Sequence, residues 1–240
     1  DGANNEMVYP GPLGRFDIDP VNRKLYWGVY EVGGGDQIMR ANLDGSSIEQ
    51  VIGGLSAGID GLAVDPSGTK VYWVQTIEEN PPSGAIHRVN FDGSAHEQIQ
   101  VSEQRPSDIA VHHASGKVFW TDRGLAPTFP GGVYRANLDF SDVEQIVLGL
   151  NHLSGMSIDQ SAGLLYFCRQ QTVGVFRCDL NGGGFVALGL GSTYRIAVLS
   201  EKFGFECFGD TNSDLHVNVA DLLNVVGSWG PCQSCAVDFN

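Results

Sequence analysis

An all-β fold made of repeated four-stranded antiparallel sheets is predicted by three features of this 240-residue sequence. A strand with an aromatic pair recurs four times, and its first aromatic stands at positions 26, 72, 119 and 166, which are 46, 47 and 47 residues apart. Each recurrence has the same flanks, with one apolar strand before it and two short strands after it. The composition of 32 glycines and only 18% charged residues suits many turns between short strands. A repeat of this length with four short strands is typical of a β-propeller blade.

The first strand of each unit is apolar and ends in an acidic residue or its substitute. These strands end at Asp19, Asp65, His112 and Asp159. The second strand carries the aromatic pair, whose two side chains face opposite sides of the sheet because side chains alternate along a strand. Both sides of a propeller sheet pack against neighbouring blades, so we expect both rings in the core rather than in a ligand site.

The third strand runs into an Arg-x-Asn-Leu-Asp-Gly turn, and a short fourth strand closes the unit. The third-strand segments begin at Arg40, Arg88, Arg135 and Arg177, and the fourth strands begin at Glu49, Glu97, Glu144 and Phe185. Over roughly residues 14–190 these units resemble the YWTD repeats of the low-density-lipoprotein receptor class B family. Phe119-Trp120-Thr121-Asp122 approaches the named motif closely, whereas the other units depart at its last two positions. The resemblance implies a propeller that binds protein ligands on one face.

The number of blades stays open, because only four units are complete. Residues 194–198 repeat a first strand, residues 203–205 offer a second, and residues 7–9 lie where an outer strand falls. We expect a propeller over residues 1–205 with five blades, the last formed by pairing of the two chain ends, since closure leaves no exposed sheet edge. The resembled proteins generally form six blades. A piece of a larger ring and an open array capped by another subunit are the alternatives.

Two long loops are expected on the face where second strands join third strands. They span residues 75–83, with Glu78, Glu79 and Asn80, and residues 122–132, with Arg123 and Phe129. Loops on a rigid scaffold commonly carry binding residues. We therefore predict that this face binds a protein or glycan ligand, while the opposite face carries mainly tight turns.

Residues 206–240 have the pattern of a separate calcium-binding segment. Oxygen atoms at loop positions 1, 3, 5, 9 and 12, with a main-chain carbonyl at position 7, can surround one hard cation. The predicted Ca²⁺ ligands are Asp210, Asn212, Asp214, His216, Asn218 and Asp221. The segment resembles a dockerin-type repeat, which implies attachment to a cohesin-like or surface partner. Leu215 stands where such loops carry glycine, so a degenerate loop without calcium is the alternative. Because such segments come in pairs, the resemblance also implies a second repeat that starts at Cys235, and we expect it to be truncated at residue 240.

All five cysteines lie beyond residue 167. Cys168 and Cys178 are expected on adjacent strands of the fourth unit, where a cross-strand disulfide fits if the distance allows it. The dockerin resemblance implies that Cys207 pairs with Cys232. Disulfides and calcium together indicate a secreted or cell-surface protein of bacterial type.

The charge and hydropathy of the chain argue against two classes of partner. A net charge of −14 opposes binding to nucleic acid phosphates and to anionic membrane surfaces. No run of 18 apolar residues occurs, so membrane insertion is not expected. The histidines His87 and His96 of the second unit have no evident partner in the sequence.

We predict a secreted, non-catalytic binding or scaffold module. The first alternative is a propeller hydrolase of the lactonase or esterase type with a central calcium ion. That chemistry needs acids and amides on the first strands, which offer instead Phe16, Ile18, Leu62, Val64, Ile109, Val111, Met156 and Ile158. The second alternative is a self-assembling subunit of an extracellular filament or layer.

Overall fold

The computed structural model contains four consecutive four-stranded antiparallel sheets, here called blades one to four. It describes residues 13–31, 35–56, 58–77, 83–102, 105–124, 130–170, 174–189 and 196–198. Within each blade the strands pair in sequence order, so strand one lies at one edge and strand four at the other. The all-β prediction and the four repeated units are confirmed.

The strands follow the predicted repeat closely. Blade one comprises β1 (Leu13–Asp19), β2 (Lys24–Val29), β3 (Asp36–Asn42) and β4 (Glu49–Leu55), and blade two comprises β5 (Gly61–Asp65), β6 (Lys70–Ile77), β7 (Ser83–Asn90) and β8 (Glu97–Ser102). Blade three comprises β9 (Pro106–His112), β10 (Lys117–Asp122), β11 (Gly132–Asn137) and β12 (Glu144–Leu148), and blade four comprises β13 (Leu153–Asp159), β14 (Leu164–Arg169), β15 (Val175–Asp179) and β16 (Val186–Ala187). The helical content of the described residues is one short 3₁₀ turn, His113–Ser115, and these residues hold no helix of membrane-spanning length and apolarity.

Rings of the aromatic pairs form the interfaces between blades, as predicted, although Tyr166 of blade four is only partly buried. Tyr26, Tyr72 and Phe119 pack towards the following blade, whereas Trp73, Trp120 and Phe167 pack towards the preceding one. Each of these six rings is at most 1% exposed. Trp27 is equally buried, with Val29 and Ala41, on the side of blade one that faces away from blade two. Burial of one such ring stabilises the fold by about 2–3 kcal/mol.

A polar contact repeats at each of the three interfaces. The arginine that opens the Arg-x-Asn turn donates from Nη1 to a backbone carbonyl of the next blade and pairs with a glutamate of its own blade. The carbonyl contacts are Arg40 to Phe91 (2.8 Å), Arg88 to Leu138 (2.5 Å) and Arg135 to Leu180 (2.8 Å). The ion pairs are Arg40–Glu49, Arg88–Glu97 and Arg135–Glu144. The Arg-x-Asn motif therefore joins each blade to the one that follows.

The residue that ends each first strand closes the turn to the second strand. Asp19 Oδ1 accepts the backbone N–H groups of Val21 and Asn22, both at 2.9 Å. In blade three His112 takes this place, since its Nδ1 accepts the N–H of Ser115 at 3.2 Å. His112 is only 5% exposed. It acts as a turn-closing residue in place of aspartate.

The predicted disulfide between Cys168 and Cys178 is wrong, because both are free thiols. In the β14–β15 register Cys178 lies opposite Leu165, and Cys168 lies opposite Val175. Three positions separate Leu165 from Cys168, so the two cysteines project from opposite faces of blade four. Adjacent strands alone do not bring two sulfur atoms together.

Residues 196–198 take the place predicted for a fifth first strand. Val198 N–H donates to Ser157 Oγ of blade four at 3.0 Å. The equivalent bond earlier in the chain runs from Val64 N–H to Asp17 Oδ2 at 2.8 Å. The proposed strands at 7–9 and 203–205 lie outside the described residues, as does the whole segment 206–240. The blade number and the domain boundary at residue 205 therefore stay predictions.

Candidate functional site

The first strands of the four blades surround a central cavity of about 700 Å³. Residues 196–198 also line it. All eight residues that the sequence offered as channel-lining lie on this cavity, from Phe16 in β1 to Ile158 in β13. The wall is therefore mostly apolar, as predicted. It also contains charged residues that the sequence analysis did not predict.

Two carboxylates, Asp17 and Asp108, lie in this wall and link neighbouring blades. Asp17 accepts the N–H of Ile18 on Oδ1 at 2.8 Å and that of Val64 in blade two on Oδ2. Asp108 accepts the N–H of Ile109 on Oδ1 at 3.0 Å and that of Met156 in blade four on Oδ2 at 2.9 Å. Each carboxylate thus uses both oxygens to hold two backbones, and its role is structural.

Burial raises the pKa of both carboxyl groups. The pKa of Asp108 rises to about 7 and that of Asp17 to about 6, because desolvation outweighs the backbone N–H groups that favour the charged forms. Arg15, which also lines the cavity, opposes the shift at Asp108. Blade two can approach Asp108 this closely because Gly61 has no side chain. A Cβ on Gly61 would lie 2.6 Å from Asp108 Cα.

A chain of hydrogen bonds between charged residues links three blades at one end of the cavity. Arg15 of blade one donates from Nε to the backbone carbonyl of Asp60, which precedes blade two. Arg123, directly after β10 in blade three, donates from Nη2 to Asp60 Oδ1 at 3.3 Å. Asp60 Oδ2 accepts the N–H of Thr76 at 2.9 Å. This end of the cavity, with the loops after second strands and before first strands, is called the loop face below.

Arg123 is the predicted ligand-face residue that the structure describes. Its side chain is 24% exposed, and its Nε is buried with no hydrogen-bond partner among the described residues. Burial raises the pKa of Asp60, and Arg123 opposes this rise. The arrangement places a partly exposed guanidinium next to Asp60 at the loop face. Its solvent-exposed N–H groups can donate to an acceptor on a partner.

The YWTD-like end of β10 anchors the loop that carries Arg123. Asp122 Oδ2 accepts the N–H of Arg105 at 3.1 Å, and its Oδ1 accepts the N–H of Gly124 at 2.6 Å. Thr121 Oγ1 lies 3.0 Å from Ser107 Oγ, which in turn donates to the carbonyl of Leu153 in blade four at 2.8 Å. Thr121 and Asp122 therefore connect this loop to the start of β9 and, through Ser107, to the start of β13.

Most of the other predicted site residues lie outside the described part of the chain. These are Glu78, Glu79, Asn80 and Phe129 of the loops, the six predicted calcium ligands from Asp210 to Asp221, and Cys207 and Cys232. Of the predicted 75–83 loop, residues 75–77 and 83 belong to strands β6 and β7. Within the described residues, no group of three or more His, Cys, Asp or Glu side chains is placed to hold a metal ion.

Sequence reasoning missed Asp17, Asp108, Arg15 and Asp60. One signal was available in the repeat itself. Asp17 stands where the other first strands have Ala63, Ala110 and Ser157, and Asp108 stands where blades two and four have Gly61 and Gly155. A charged residue at a position that is small in most of the other units marks a contact that the repeat does not require.

Similar solved structures support a β-propeller. A chain in a crystal structure of a nidogen–laminin complex matches with a TM-score of 0.66 at 18% identity, over 79% of this chain and 69% of that chain. TolB from Acinetobacter baumannii matches with a TM-score of 0.64 at 12% identity, over 81% of this chain and 48% of that chain. A putative TolB from Agrobacterium tumefaciens matches with a TM-score of 0.57 at 16% identity, over 74% and 67%. This chain thus spans about half the length of the Acinetobacter protein, and no protein-family model matches it. Likeness at these identities concerns the fold.

Proposed function

We propose that the protein is a non-catalytic binding module whose loop face takes a protein partner at the mouth of the central cavity. The observation that carries the proposal is the charged chain Arg15–Asp60–Arg123, which joins three blades around this mouth. The complex of nidogen with laminin gives a neighbouring fold that occurs in a protein–protein complex. A glycan on the same face is the second ligand class that fits exposed loops.

The chemistry of the mouth favours a partner that presents a carboxylate or carbonyl oxygen. The Arg123 side chain is 24% exposed, and its guanidinium is held in place through Asp60. Planar guanidinium groups recognise carboxylates through paired N–H donors. The rest of the chain is strongly acidic, with a net charge of −14. An acidic partner segment is therefore directed to the arginines and repelled elsewhere.

The proposal is tested with a matched pair of variants in blade three. Arg123→Gln removes one positive charge from the loop face, and Lys117→Gln removes one from the opposite end of β10. Peptides selected from a displayed random library on the wild-type protein are the probe, and their affinities are measured by biolayer interferometry. We expect Arg123→Gln to weaken binding at least about ten-fold, which is the scale for a lost guanidinium–carboxylate contact, and Lys117→Gln to leave it unchanged. The choice of face is contradicted if Arg123→Gln binds the peptides as tightly as the wild type. It is also contradicted if both variants lose the same affinity.

The tail and the location belong to the same proposal. We infer that residues 206–240 bind Ca²⁺ through the six predicted ligands from Asp210 to Asp221 and attach the propeller to a cohesin-like or surface partner outside the cell. The spacing of oxygen ligands in the sequence supports this inference. The propeller would then present its loop face to a ligand while the tail fixes it to an assembly.

Catalysis and self-assembly are the competing functions. The hydrolase alternative requires turnover of a lactone or ester panel in the presence of Ca²⁺, and measurable hydrolysis would replace the binding proposal. The filament or layer alternative requires concentration-dependent assembly of the purified protein. Sedimentation velocity and negative-stain imaging distinguish that behaviour from a monomer.

A further inference from the structure

Two histidines of blade two, His87 in β7 and His96 just before β8, lie in direct contact. His87 Nδ1 and His96 Nε2 are 3.1 Å apart. Both rings lie on the indole of Trp73, with centroid distances of 4.8 Å for His87 and 5.2 Å for His96. Their planes are within 5° and 20° of the indole plane. The two rings therefore share one aromatic platform, with one ring nitrogen of each directed at the other.

The same two positions are apolar in the other three blades. The first position lies on the third strand, opposite the second aromatic residue, and the second position comes just before the fourth strand. The pairs at these positions are Met39 with Ile48, Tyr134 with Val143, and Phe176 with Phe185. In blade four this pair is a stack of two rings whose centroids are 5.5 Å apart. The corresponding distance between His87 and His96 is 5.4 Å. Blade two thus keeps the packing and exchanges both members for imidazoles.

Packing alone does not account for this exchange. His87 is only 3% exposed, and its Nε2 is buried with no hydrogen-bond partner in the part of the chain that the structure describes. A buried polar atom without a partner lowers stability, whereas the side chains used by the other blades have no such atom. Burial, and secondarily His96, lowers the pKa of His87 to about 4, so its ring is neutral near pH 7. Neutral imidazole is the form that binds metal ions.

We propose that His87 and His96 form a binding site for a divalent transition-metal ion of the nickel, copper or zinc class. Two nitrogens that are bound at about 2.1 Å to one tetrahedral or tetragonal ion lie roughly 3.0–3.4 Å apart, and the observed 3.1 Å falls in this range. His96 is exposed, so an ion reaches the pair from solvent and its side chain can turn to admit the ion. The described residues place no third His, Cys, Asp or Glu beside the pair. Water completes the coordination.

The site lies away from the loop face, because His96 belongs to the turn between β7 and β8, at the opposite end of the blade. It therefore stands independently of the proposed ligand site. The distinction from the predicted calcium segment is chemical, since imidazole suits late transition metals whereas Ca²⁺ takes oxygen ligands. A metal bound here would sit on the rim of blade two, above Trp73.

Trp73 provides the readout for a titration of the full chain with Ni²⁺, which does not oxidise thiols. We expect saturable quenching of tryptophan fluorescence by Ni²⁺ in the wild-type protein. The double variant His87→Phe/His96→Phe reproduces the aromatic pair of blade four and should lose this quenching phase, with an affinity at least about ten-fold weaker, as loss of both ligands requires. The control His152→Asn changes a histidine outside the pair, at a φ of 62° that asparagine tolerates, and should quench like the wild type.

Two results would overturn the proposal. One is the absence of a saturable Ni²⁺ phase in the wild-type protein. The other is an unchanged phase in the double variant, which would place the metal at the tail cysteines or elsewhere. If far-UV circular dichroism shows that the double variant does not fold, His96→Val decides instead, because it changes the exposed member to the residue type of Val143 in blade three. Full quenching in that variant refutes the pair as the site.

Discussion

Replacing Asp108 with asparagine should change how the stability of the propeller depends on pH. Asp108 is 6% exposed, and burial raises its pKa from the usual 3.8 to about 7. Between these values the unfolded chain releases the proton while the folded protein keeps it. Stability therefore falls as pH rises through this window. At about 1.4 kcal/mol for each pH unit, the fall amounts to roughly 4 kcal/mol between pH 4 and pH 7.

Asp108→Asn cannot ionise, so this fall should disappear and leave the contributions of the other buried carboxyl groups with raised pKa values, such as Asp17 and Asp60. The amide offers one acceptor oxygen in place of two, and the variant loses the bond to either Ile109 or Met156. That loss costs about 1–2 kcal/mol at low pH. We therefore expect the two stability curves to cross, with the variant less stable at pH 4.5 and equal or more stable at pH 8.

Urea unfolding followed by tryptophan fluorescence, repeated from pH 4.5 to pH 8.5, measures both curves. Asp92→Asn is the matched control, since Asp92 is exposed and its pKa is lowered by hydrogen bonds from Ser94. The control should keep the decline in stability between pH 4.5 and pH 7. A wild-type slope in Asp108→Asn would refute the view that the buried carboxylate is protonated in the folded protein near neutral pH.

Two further predictions concern packing and the tail. Gly61→Ala places a Cβ 2.6 Å from the Cα of Asp108, so backbone must move and the free energy of unfolding should drop by about 1–3 kcal/mol. Gly58→Ala, whose Cβ would approach only one aromatic ring edge at 3.3 Å, should cost less in the same urea assay. Asp210→Asn should weaken Ca²⁺ binding in isothermal titration calorimetry, because it removes the first ligand of the predicted loop. Asp92→Asn should bind Ca²⁺ like the wild type, and a wild-type protein without any Ca²⁺ uptake would disprove the calcium assignment.

The repeat made the blade predictable, because everything that defines it is local. A period of 46 or 47 residues, the alternation of Tyr72 and Trp73 and the Arg-x-Asn turn determine strand order and the buried faces without knowledge of neighbours. The structure confirms these features in four blades. Strand ends also followed, since Asp19 and its equivalents close turns two or three residues away.

The features that escaped prediction depend on contacts between units. The roles of Asp17 and Asp108 depend on the position of the first strand of a neighbouring blade, whose backbone N–H group each carboxylate accepts. The failed disulfide shows the same limit on a smaller scale, because adjacency of two strands was predictable but the register that separates Cys168 from Cys178 was not. The contact between His87 and His96 depends on a hairpin register and on a shared neighbour, and the eight intervening residues do not indicate either.

The polar clasp between blades has a consequence for how such proteins grow. Arg40, Arg88 and Arg135 each reach forward to a main-chain carbonyl, and that acceptor exists whatever side chain the following unit carries. A duplicated or exchanged blade would bring its own arginine donor for the following blade and its own backbone carbonyl for the arginine of the preceding blade. Duplication of a unit can therefore add a blade without new side chains for this contact.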